Sequence, residues 1–204
     1  KREELISLLS DLITIRSQTG ESAEEAQALV NNYLSDLPYR IERSSDRPSL
    51  YQNHPEFMPP NPESDGPFIN IVGWPEKTSR KTSAIFSHID THSEDAGWET
   101  DPYKPIIKKN RMYGLGTSDD KGGVAAMLIA ARILSENDKP LPVVMSLHGK
   151  GGGSRGSLPV FERIRKQKHN IQSVLYAHPA ETGRGLEDVK NAVLGVLDLE
   201  MRVR

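Results

Sequence analysis

The sequence predicts an α/β fold, in which a mostly parallel sheet is flanked by helices on both faces. Two patterns support this prediction. Short apolar runs rich in β-branched residues recur along the chain, and helical patterns separate the later runs, which is the order of elements in parallel sheets. A third pattern, the alternation of apolar and polar residues at 195–204, predicts a half-buried antiparallel strand. Because a lone strand is not stable by itself, we expect it to begin a second α+β domain after a first domain at 1–192.

The first 50 residues are predicted to be mainly helical. Leucine and isoleucine recur at helical spacing within 2–16, which indicates an amphipathic helix. A second helix is predicted to begin at Ser22, because Glu25 follows three residues later as in a capping box, and to end before Pro38. The residues at 40–44 are interpreted as a strand, and the proline-rich segment 52–67 as a surface loop.

Four apolar runs predict the strands of the central sheet, at 68–74, 83–90, 141–148 and 173–178. Helices are predicted at 121–137 and 157–168, between the later strands. Sheets of this class bind ligands beyond the carboxyl ends of their strands. Polar groups gather at those ends: His88 with Asp90, the loop 148–156, and His178 with Glu181. We therefore expect the functional site at this edge of the sheet.

Composition excludes several classes of partner. The 204 residues include 26 Lys and Arg against 28 Asp and Glu, so charge gives no reason to expect nucleic acid or an anionic membrane. No apolar run approaches the roughly 18 residues that span a bilayer, and no signal-like segment opens the sequence, which favours a cytoplasmic location. Cysteine is absent, so any metal ion must be held by His, Asp or Glu.

Two clusters carry groups suited to chemistry. In the first, 87–92, alternation places His88 and Asp90 on one side, where the carboxylate can orient the imidazole, as is common for metal-binding histidines. The other interpretation is a hydrogen-bonded polar residue at a strand end. In the second cluster, 113–123, two aspartates lead directly into a helix. Asp119 is therefore either a ligand or a residue that caps this helix.

Together, these clusters resemble the signature of the co-catalytic zinc peptidase and deacylase family. The family pattern is a His-x-Asp strand end, a Trp and a Pro-aromatic pair in the next loop, and then Tyr-Gly-x-Gly-x-x-Asp-x-Lys-Gly. Here it is formed by His88 and Asp90, Trp98, Pro102 and Tyr103, and 113–122. Members include acetylornithine deacetylase, succinyl-diaminopimelate desuccinylase, carnosinase-type dipeptidases, aminoacylase and carboxypeptidase G. The resemblance implies that 1–192 is a metallohydrolase catalytic domain and that 193–204 begins a lid or dimerisation domain, through which a homodimer can form.

The resemblance also implies roles for single residues. His88 would bind one metal ion, Asp119 would bridge two, Asp90 would be a catalytic residue that orients His88, and Asp120 would be the variable neighbour of Asp119. Zinc is the implied cofactor, with cobalt or manganese as substitutes. The implied reaction is hydrolysis of an amide in a small peptide or an N-acyl amino acid.

The glycine-rich loop departs from the family pattern Asp-Glu-Glu-x-Gly-Ser-x-Gly. The corresponding residues run from Gly149 to Gly156, with Lys150 at the position of the general base and Gly151 at that of a metal ligand. Glycine offers no side-chain ligand, and an ammonium does not take a proton from water near neutral pH. Because metal ions about 3.5–4 Å apart need anionic ligands, we expect the second metal site to be weak or absent.

His178 completes a single-metal site in this interpretation. It stands where the family usually has the Glu of Glu-Pro-Thr, and the ureidoglycolate and hydantoin-type branch also uses His there. His88, Asp119 and His178 would then form a two-histidine, one-carboxylate site that suits zinc. We predict that Lys150 is a catalytic residue whose ammonium replaces a second cation; the alternative is that Lys150 points into solvent.

Three functions remain open from the sequence. The first is a metal-dependent peptidase or deacylase with an altered site, and the second is a catalytically impaired relative that binds a small molecule or acts as a scaffold. The third is a nucleotide-binding oxidoreductase, because Gly151, Gly153 and Gly156 satisfy the dinucleotide pattern. Arg155 and Arg184 are candidates for holding a substrate carboxylate. The other histidines are interpreted as packing or surface residues: His54, His92, His148 and His169. The alternative for His92 and His148, which lie near the proposed site, is a hydrogen bond to substrate or uptake of a proton.

Overall fold

The computed structural model describes residues 1–19, 22–55, 57, 67–77, 82–149 and 156–179. In chain order the elements are helices α1 (Arg2–Thr14) and α2 (Ala23–Ser35), strand β1 (Tyr39–Asp46), a 3-10 turn at Pro48–Tyr51, strands β2 (Phe68–Pro75), β3 (Thr82–His88), β4 (Ile106–Lys108) and β5 (Arg111–Tyr113), helix α3 (Lys121–Glu136), strand β6 (Val143–Leu147), helix α4 (Ser157–Lys166) and strand β7 (Ile171–Tyr176). The helices and strands predicted for this part of the chain are all present. The strand predicted at 195–204 lies outside the described residues, so the second domain, expected from 193, stays a prediction.

The five longer strands form one sheet in the order β1-β2-β6-β3-β7. β3 is parallel to both of its neighbours, whereas β2 is antiparallel to β1 and to β6. Four of the five strands therefore point the same way, which confirms the predicted mostly parallel sheet, and β2 is the exception. The register pairs His88 with Leu147 and Phe86 with Tyr176. As a result, β3, β6 and β7 end at the same edge of the sheet.

Helices cover both faces of this sheet because its central strands are apolar on both sides. Val144 of β6 packs in one core with residues of α1, α2 and α3. Its neighbours Val143 and Met145 point to the opposite face and pack with Val160 and Ile164 of α4, as the two-residue period of a strand requires. The described residues contain no helix with both the length and the apolar character needed to cross a membrane.

A short hairpin formed by β4 and β5 was not predicted from the sequence. Its two-residue turn consists of Lys109 and Asn110, whose φ angles are 49° and 60°, the left-handed geometry of tight hairpin turns. Asn110 tolerates this conformation better than most residues, and its side chain accepts a 3.0 Å hydrogen bond from Arg2 of α1. The tip of the hairpin is thus attached to the helical layer.

Candidate metal centre

Three side chains from separate elements meet at the edge where the parallel strands end. His88 is the last residue of β3, Asp119 precedes α3, and His178 follows β7 by two residues. The Nε2 atom of His88 lies 2.9 Å from Oδ1 of Asp119, and Nε2 of His178 lies 3.4 Å from the same oxygen. One potential ligand atom from each residue lies within 4.8 Å of the other two. The structure therefore brings together the three residues that the sequence predicted as metal ligands.

The orientation of both imidazole rings suits a metal ion. Nδ1 of His88 lies 3.0 Å from the backbone oxygen of Asp90, and Nδ1 of His178 lies 2.9 Å from that of Pro179. Because a carbonyl oxygen only accepts hydrogen bonds, these contacts place a proton on each Nδ1, and each Nε2 faces Asp119, where a metal ion would take the place of a proton on that nitrogen. Two imidazole nitrogens and a carboxylate oxygen with outer partners of this kind are a common zinc donor set.

Protons compete with a metal ion for His88. Burial acts to lower the pKa of this imidazole, but the hydrogen bond with Asp119 and the charges of Asp90 and Asp120 outweigh it, so the pKa is raised. A metal ligand must be the neutral imidazole. The affinity of the site for a metal ion should therefore decrease as the pH falls through the titration range of His88.

The backbone carbonyl of Asp90, more than its carboxylate, contacts the imidazole of His88. The carboxylate Oδ1 of Asp90 lies 3.8 Å from Nδ1 of His88, farther than the 3.0 Å to the carbonyl oxygen. The carboxylate instead accepts a 2.7 Å hydrogen bond from the backbone amide of Gly149, and its Oδ2 lies 3.5 Å from Nδ1 of His148. The side chain thus contributes negative charge beside His88 and an anchor for the next loop, and its catalytic role stays a prediction.

Asp119 is not the residue that caps α3. The N-cap is Asp120, whose side chain makes no capping hydrogen bond, while Asp119 faces the two histidines. The peptide bond between these aspartates is cis. The Asp120 carboxylate is fully buried and accepts a 2.7 Å hydrogen bond from Ser87. Burial raises the pKa of Asp120 to about 6, although the hydrogen bond from Ser87 lowers it.

Both ends of the loop that carries Lys150 lie close to Asn70 of β2. The backbone amide of His148 donates a 3.0 Å hydrogen bond to Oδ1 of Asn70. At the other end, a Cβ on Gly156 would lie only 2.4 Å from the same Oδ1, so this close approach requires glycine. Lys150 lies outside the described residues together with 151–155, and its predicted catalytic role stays a prediction.

The remaining histidines have the local roles expected from the sequence. His148 is fully buried with its ring 4.4 Å from that of Phe68, and His169 stacks on Trp74 at 4.0 Å. His54 lies 3.6 Å from a carboxylate oxygen of Glu162. His92 is exposed and is not part of the three-residue cluster. The other candidates at the strand ends, Arg155, Glu181 and Arg184, lie outside the described residues.

Sequence reasoning missed the burial of Lys121, the first residue of α3. This side chain is 1% exposed and donates hydrogen bonds of 2.8 and 2.6 Å to the carbonyl oxygens of Leu12 and Ile15 at the end of α1. Burial lowers the pKa of Lys121 to about 8. The only signal in the sequence was the lysine of the 113–122 pattern, which does not reveal its partners. Lys121 connects the helix that follows Asp119 to the N-terminal layer.

The part of the chain that matches known proteins contains the candidate site. Residues 84–198 match the peptidase family M20/M25/M40. The chain is 29% identical over 172 residues to N-formyl-4-amino-5-aminomethyl-2-methylpyrimidine deformylase of Bacillus subtilis (strain 168), covering 79% of this chain and 36% of that protein. It is 27% identical over 144 residues to succinyl-diaminopimelate desuccinylase of Zymomonas mobilis subsp. mobilis (strain ATCC 31821 / ZM4 / CP4), covering 68% of this chain and 37% of that protein.

A solved structure shares the fold. The di-peptidase Dug1p from Saccharomyces cerevisiae superposes with a TM-score of 0.67 at 18% identity, covering 87% of this chain and 39% of that one. The chain thus spans little more than a third of the length of the relatives that it matches. The family match and the two relatives favour the hydrolase interpretation over a nucleotide-binding oxidoreductase.

Proposed function

Because the chain belongs to the peptidase family M20/M25/M40, we propose that the full-length protein is a metal-dependent amide hydrolase with an altered, single-metal site. The observation that carries this proposal is the convergence of His88 and His178 on one oxygen of Asp119, at 2.9 and 3.4 Å. The cluster is partly open, since the Asp119 side chain is 39% exposed. A substrate can therefore approach it.

The donor set indicates zinc, with cobalt or manganese as substitutes. Bound there, a divalent ion would polarise the carbonyl of an amide and lower the pKa of water. The chain's own residues supply the framework. His88 and His178 are fixed by hydrogen bonds from Nδ1, and Asp119 provides the negative charge that offsets part of the charge of the ion.

The names of the relatives support an amide as substrate. They include a deformylase, a desuccinylase and a di-peptidase, and each of these names describes cleavage of an acyl–nitrogen bond. We propose a small peptide or an N-acyl amino acid for this chain. A homodimer and a cytoplasmic location stay predictions.

Lys150 gives the proposed site its altered character. In the expected arrangement its ammonium supplies the positive charge of a second metal ion, because neither Lys150 nor Gly151 offers a carboxylate. A second candidate function is a protein that binds a small molecule but no longer catalyses a reaction. This second function is favoured by the absence of the Glu-Glu pair at 150–151.

The test uses the full-length protein and measures its metal content by mass spectrometry and its turnover of N-acyl amino acids and dipeptides. We expect one metal ion per chain, turnover, and loss of at least about 90% of the metal in His178→Ala. His92→Ala is the matched control, because His92 is exposed and outside the cluster. Absence of both metal and turnover would overturn the hydrolase proposal and favour the small-molecule binder or scaffold, and turnover by a wild-type protein without metal would overturn the single-metal site.

A further inference from the structure

Asn70 is a fully buried polar residue in an otherwise apolar part of β2. The other four residues of 68–72 are apolar. A buried amide costs free energy unless both its oxygen and its nitrogen find partners. The partners of Asn70 lie in two different parts of the sheet, just beyond the end of β6 and at the end of β1. They indicate what this amide does for the fold and for the site.

The two hydrogen bonds of Asn70 determine the orientation of its amide. Its Oδ1 accepts a 3.0 Å hydrogen bond from the backbone amide of His148, and its Nδ2 donates a 3.1 Å hydrogen bond to Oδ2 of Asp46. A backbone amide only donates and an ionised carboxylate only accepts, so both contacts require the same orientation. An apolar residue would satisfy neither partner, and an ionised carboxylate would satisfy only His148.

Asp46 is itself held in place by a cation from α4. Nη1 of Arg163 donates a 2.7 Å hydrogen bond to Oδ1 of Asp46, and the hydroxyl of Ser44 donates one of 2.8 Å to Oδ2. Arg163 also donates a 2.6 Å hydrogen bond to Ser44. Hydrogen bonds between ionised groups are stronger than those between neutral groups. The ion pair with Arg163 therefore anchors the carboxylate that orients the Asn70 amide.

From His148 the contacts continue to a candidate metal ligand. The backbone amide of the next residue, Gly149, donates a 2.7 Å hydrogen bond to Oδ1 of Asp90. The backbone oxygen of Asp90 lies 3.0 Å from Nδ1 of His88. A series of close contacts thus connects Asn70 with the imidazole of His88. A displacement of the backbone at His148 would be passed to His88 through Asp90.

The chain returns to Asn70 at Gly156. A Cβ at this position would collide with Oδ1 of Asn70 and with the carbonyl oxygen of His148. The residues that precede and follow 149–155 therefore lie against each other and against one amide oxygen. Because α4 begins directly after Gly156, this side chain lies both where the chain leaves β6 and where it enters α4.

We propose that Asn70 is a positioning residue of the candidate metal centre, which holds the backbone at His148 and, through Gly149 and Asp90, the imidazole of His88. It acts through these residues and keeps one ligand of the cluster in place for a zinc ion. The inference rests on the metal site of the proposed function and adds a residue outside that site on which its geometry depends.

The experiment compares two buried amides that bridge the same strands of the full-length protein. Asn70→Leu removes the amide in β2, and Asn70→Ser, with a shorter side chain, replaces this variant if it does not fold. Gln27→Met is the matched control. Gln27 of α2 is 1% exposed and donates hydrogen bonds of 2.9 and 3.0 Å to the carbonyl oxygens of Ile69 and Ser146. It therefore also connects β2 with β6, but at residues outside the series that leads to His88.

Two quantities are measured. Competition with a chromogenic chelator gives the affinity for zinc, and mass spectrometry follows amide hydrogen exchange of the zinc-free protein in the peptides that contain 88–90 and 147–149. We expect Asn70→Leu to lower zinc affinity by about 3- to 10-fold and to speed exchange in both peptides by about 10-fold. Gln27→Met should change zinc affinity by less than about twofold, although both variants lose stability in urea.

Asn70→Asp is the conservative variant, because it keeps an oxygen that accepts from the amide of His148. It should lose less zinc affinity than Asn70→Leu. Equal affinities in Asn70→Leu and Gln27→Met would overturn the inference, since any buried amide between these strands would then have the same effect. Equal affinities in Asn70→Leu and Asn70→Asp would also overturn it, because the hydrogen bond to His148 would then not matter.

A double-mutant cycle tests whether Asn70 acts through Asp90. In the Asp90→Ala background, Asn70→Leu should lower zinc affinity by less than about twofold further, because the contact between Gly149 and the carboxylate is already lost. Additive losses in the double variant would show that Asn70 acts independently of Asp90, and the proposed series of contacts would be wrong.

Failure of the proposed function remains distinguishable in this design. If the wild type binds zinc and the Asn70 variants bind it equally well, the metal site stands and the role of Asn70 fails. If the wild type binds no zinc, the metal site fails, and exchange at 88–90 decides the role of Asn70. Faster exchange there in Asn70→Leu but not in Gln27→Met would support that role, and equal exchange would overturn it.

Discussion

The carboxylate of Asp90 accepts a 2.7 Å hydrogen bond from the backbone amide of Gly149. This contact joins the end of β3, which carries the candidate ligand His88, to the loop that follows β6. The Asp90 side chain is buried, and its negative charge raises the pKa of His88. The same carboxylate therefore acts on a candidate ligand and on the residue that precedes Lys150.

Two replacements of Asp90 should separate the effect of its negative charge from the effect of its hydrogen bond with Gly149. We expect Asp90→Ala to lower zinc affinity by about 10-fold, because the variant loses the negative charge beside His88 and the anchor of the Gly149 amide but keeps the carbonyl that accepts from Nδ1. Asp90→Asn should cost less, because an amide oxygen still accepts the hydrogen bond from Gly149. Competition with a chromogenic chelator measures both affinities, and equal losses in the two variants would contradict a role for this hydrogen bond.

Restoring the missing carboxylates should restore a second metal site. The double variant Lys150→Glu, Gly151→Glu carries the Glu-Glu pair of the family pattern, and we expect two metal ions per chain where the wild type binds one. Mass spectrometry of the protein after dialysis against zinc gives the ratio. The control is Lys139→Glu, which lies beyond the far end of α3. It makes the same lysine-to-glutamate charge change but places no carboxylate near the site. Two ions in the wild type, or one in the double variant, would be inconsistent with the proposed role of Lys150.

Gly123 is expected to be irreplaceable at the start of α3. A Cβ at this position would lie 1.8 Å from the carbonyl oxygen of Ala177 and 2.3 Å from Oδ1 of Asp120, so Gly123→Ala must move backbone that connects to Asp119 and His178. We expect a loss of about 1–3 kcal/mol in the free energy of unfolding together with weaker zinc binding.

The matched control for Gly123 is Gly97→Ala, where a Cβ meets no atom within 4 Å among the described residues beyond its own chain neighbours. Its free energy of unfolding should stay within about 0.5 kcal/mol of the wild type. Denaturant unfolding of the full-length variants measures the difference. If both alanine variants have the same stability, the close approach of α3 to the end of β7 is not as the structure has it.

Lys121 should make stability rise between pH 8 and 10.5. Burial lowers its pKa from 10.5 to about 8 in the folded protein, so in this interval the unfolded chain binds more protons than the folded one, and the free energy of unfolding increases with pH. Lys121→Met removes the group and this contribution. Urea unfolding measures the free energy of unfolding of both proteins. The difference between wild type and variant should change by a few kcal/mol over this pH window, at about 1.4 kcal/mol per unit of pKa shift. A difference that is constant from pH 7 to 10.5 would show that Lys121 titrates normally.

The sequence was sufficient for elements whose pattern is local. Strand β6 is a short run of apolar residues with one serine, and its residues alternate between two buried layers, which identifies a strand covered on both faces. The start of α2 at Ser22 was predicted from the capping sequence, although Ser22 makes no side-chain capping hydrogen bond. The β4–β5 hairpin was missed, because strands of three residues carry too little periodicity to be recognised.

The candidate site divides in the same way. Two signals identified His88, Asp119 and His178: polar residues at the ends of predicted strands and helices, and a family pattern. Both signals depend only on the order of residues along the chain. The partners of Asp120 and Lys121 were not predictable, because Ser87 and Leu12 are 33 and 109 residues away. The sequence by itself determined which groups reach the carboxyl edge of the sheet. Only the tertiary structure decided which atoms of those groups face one another, because strand order and helix packing set the distances between remote residues.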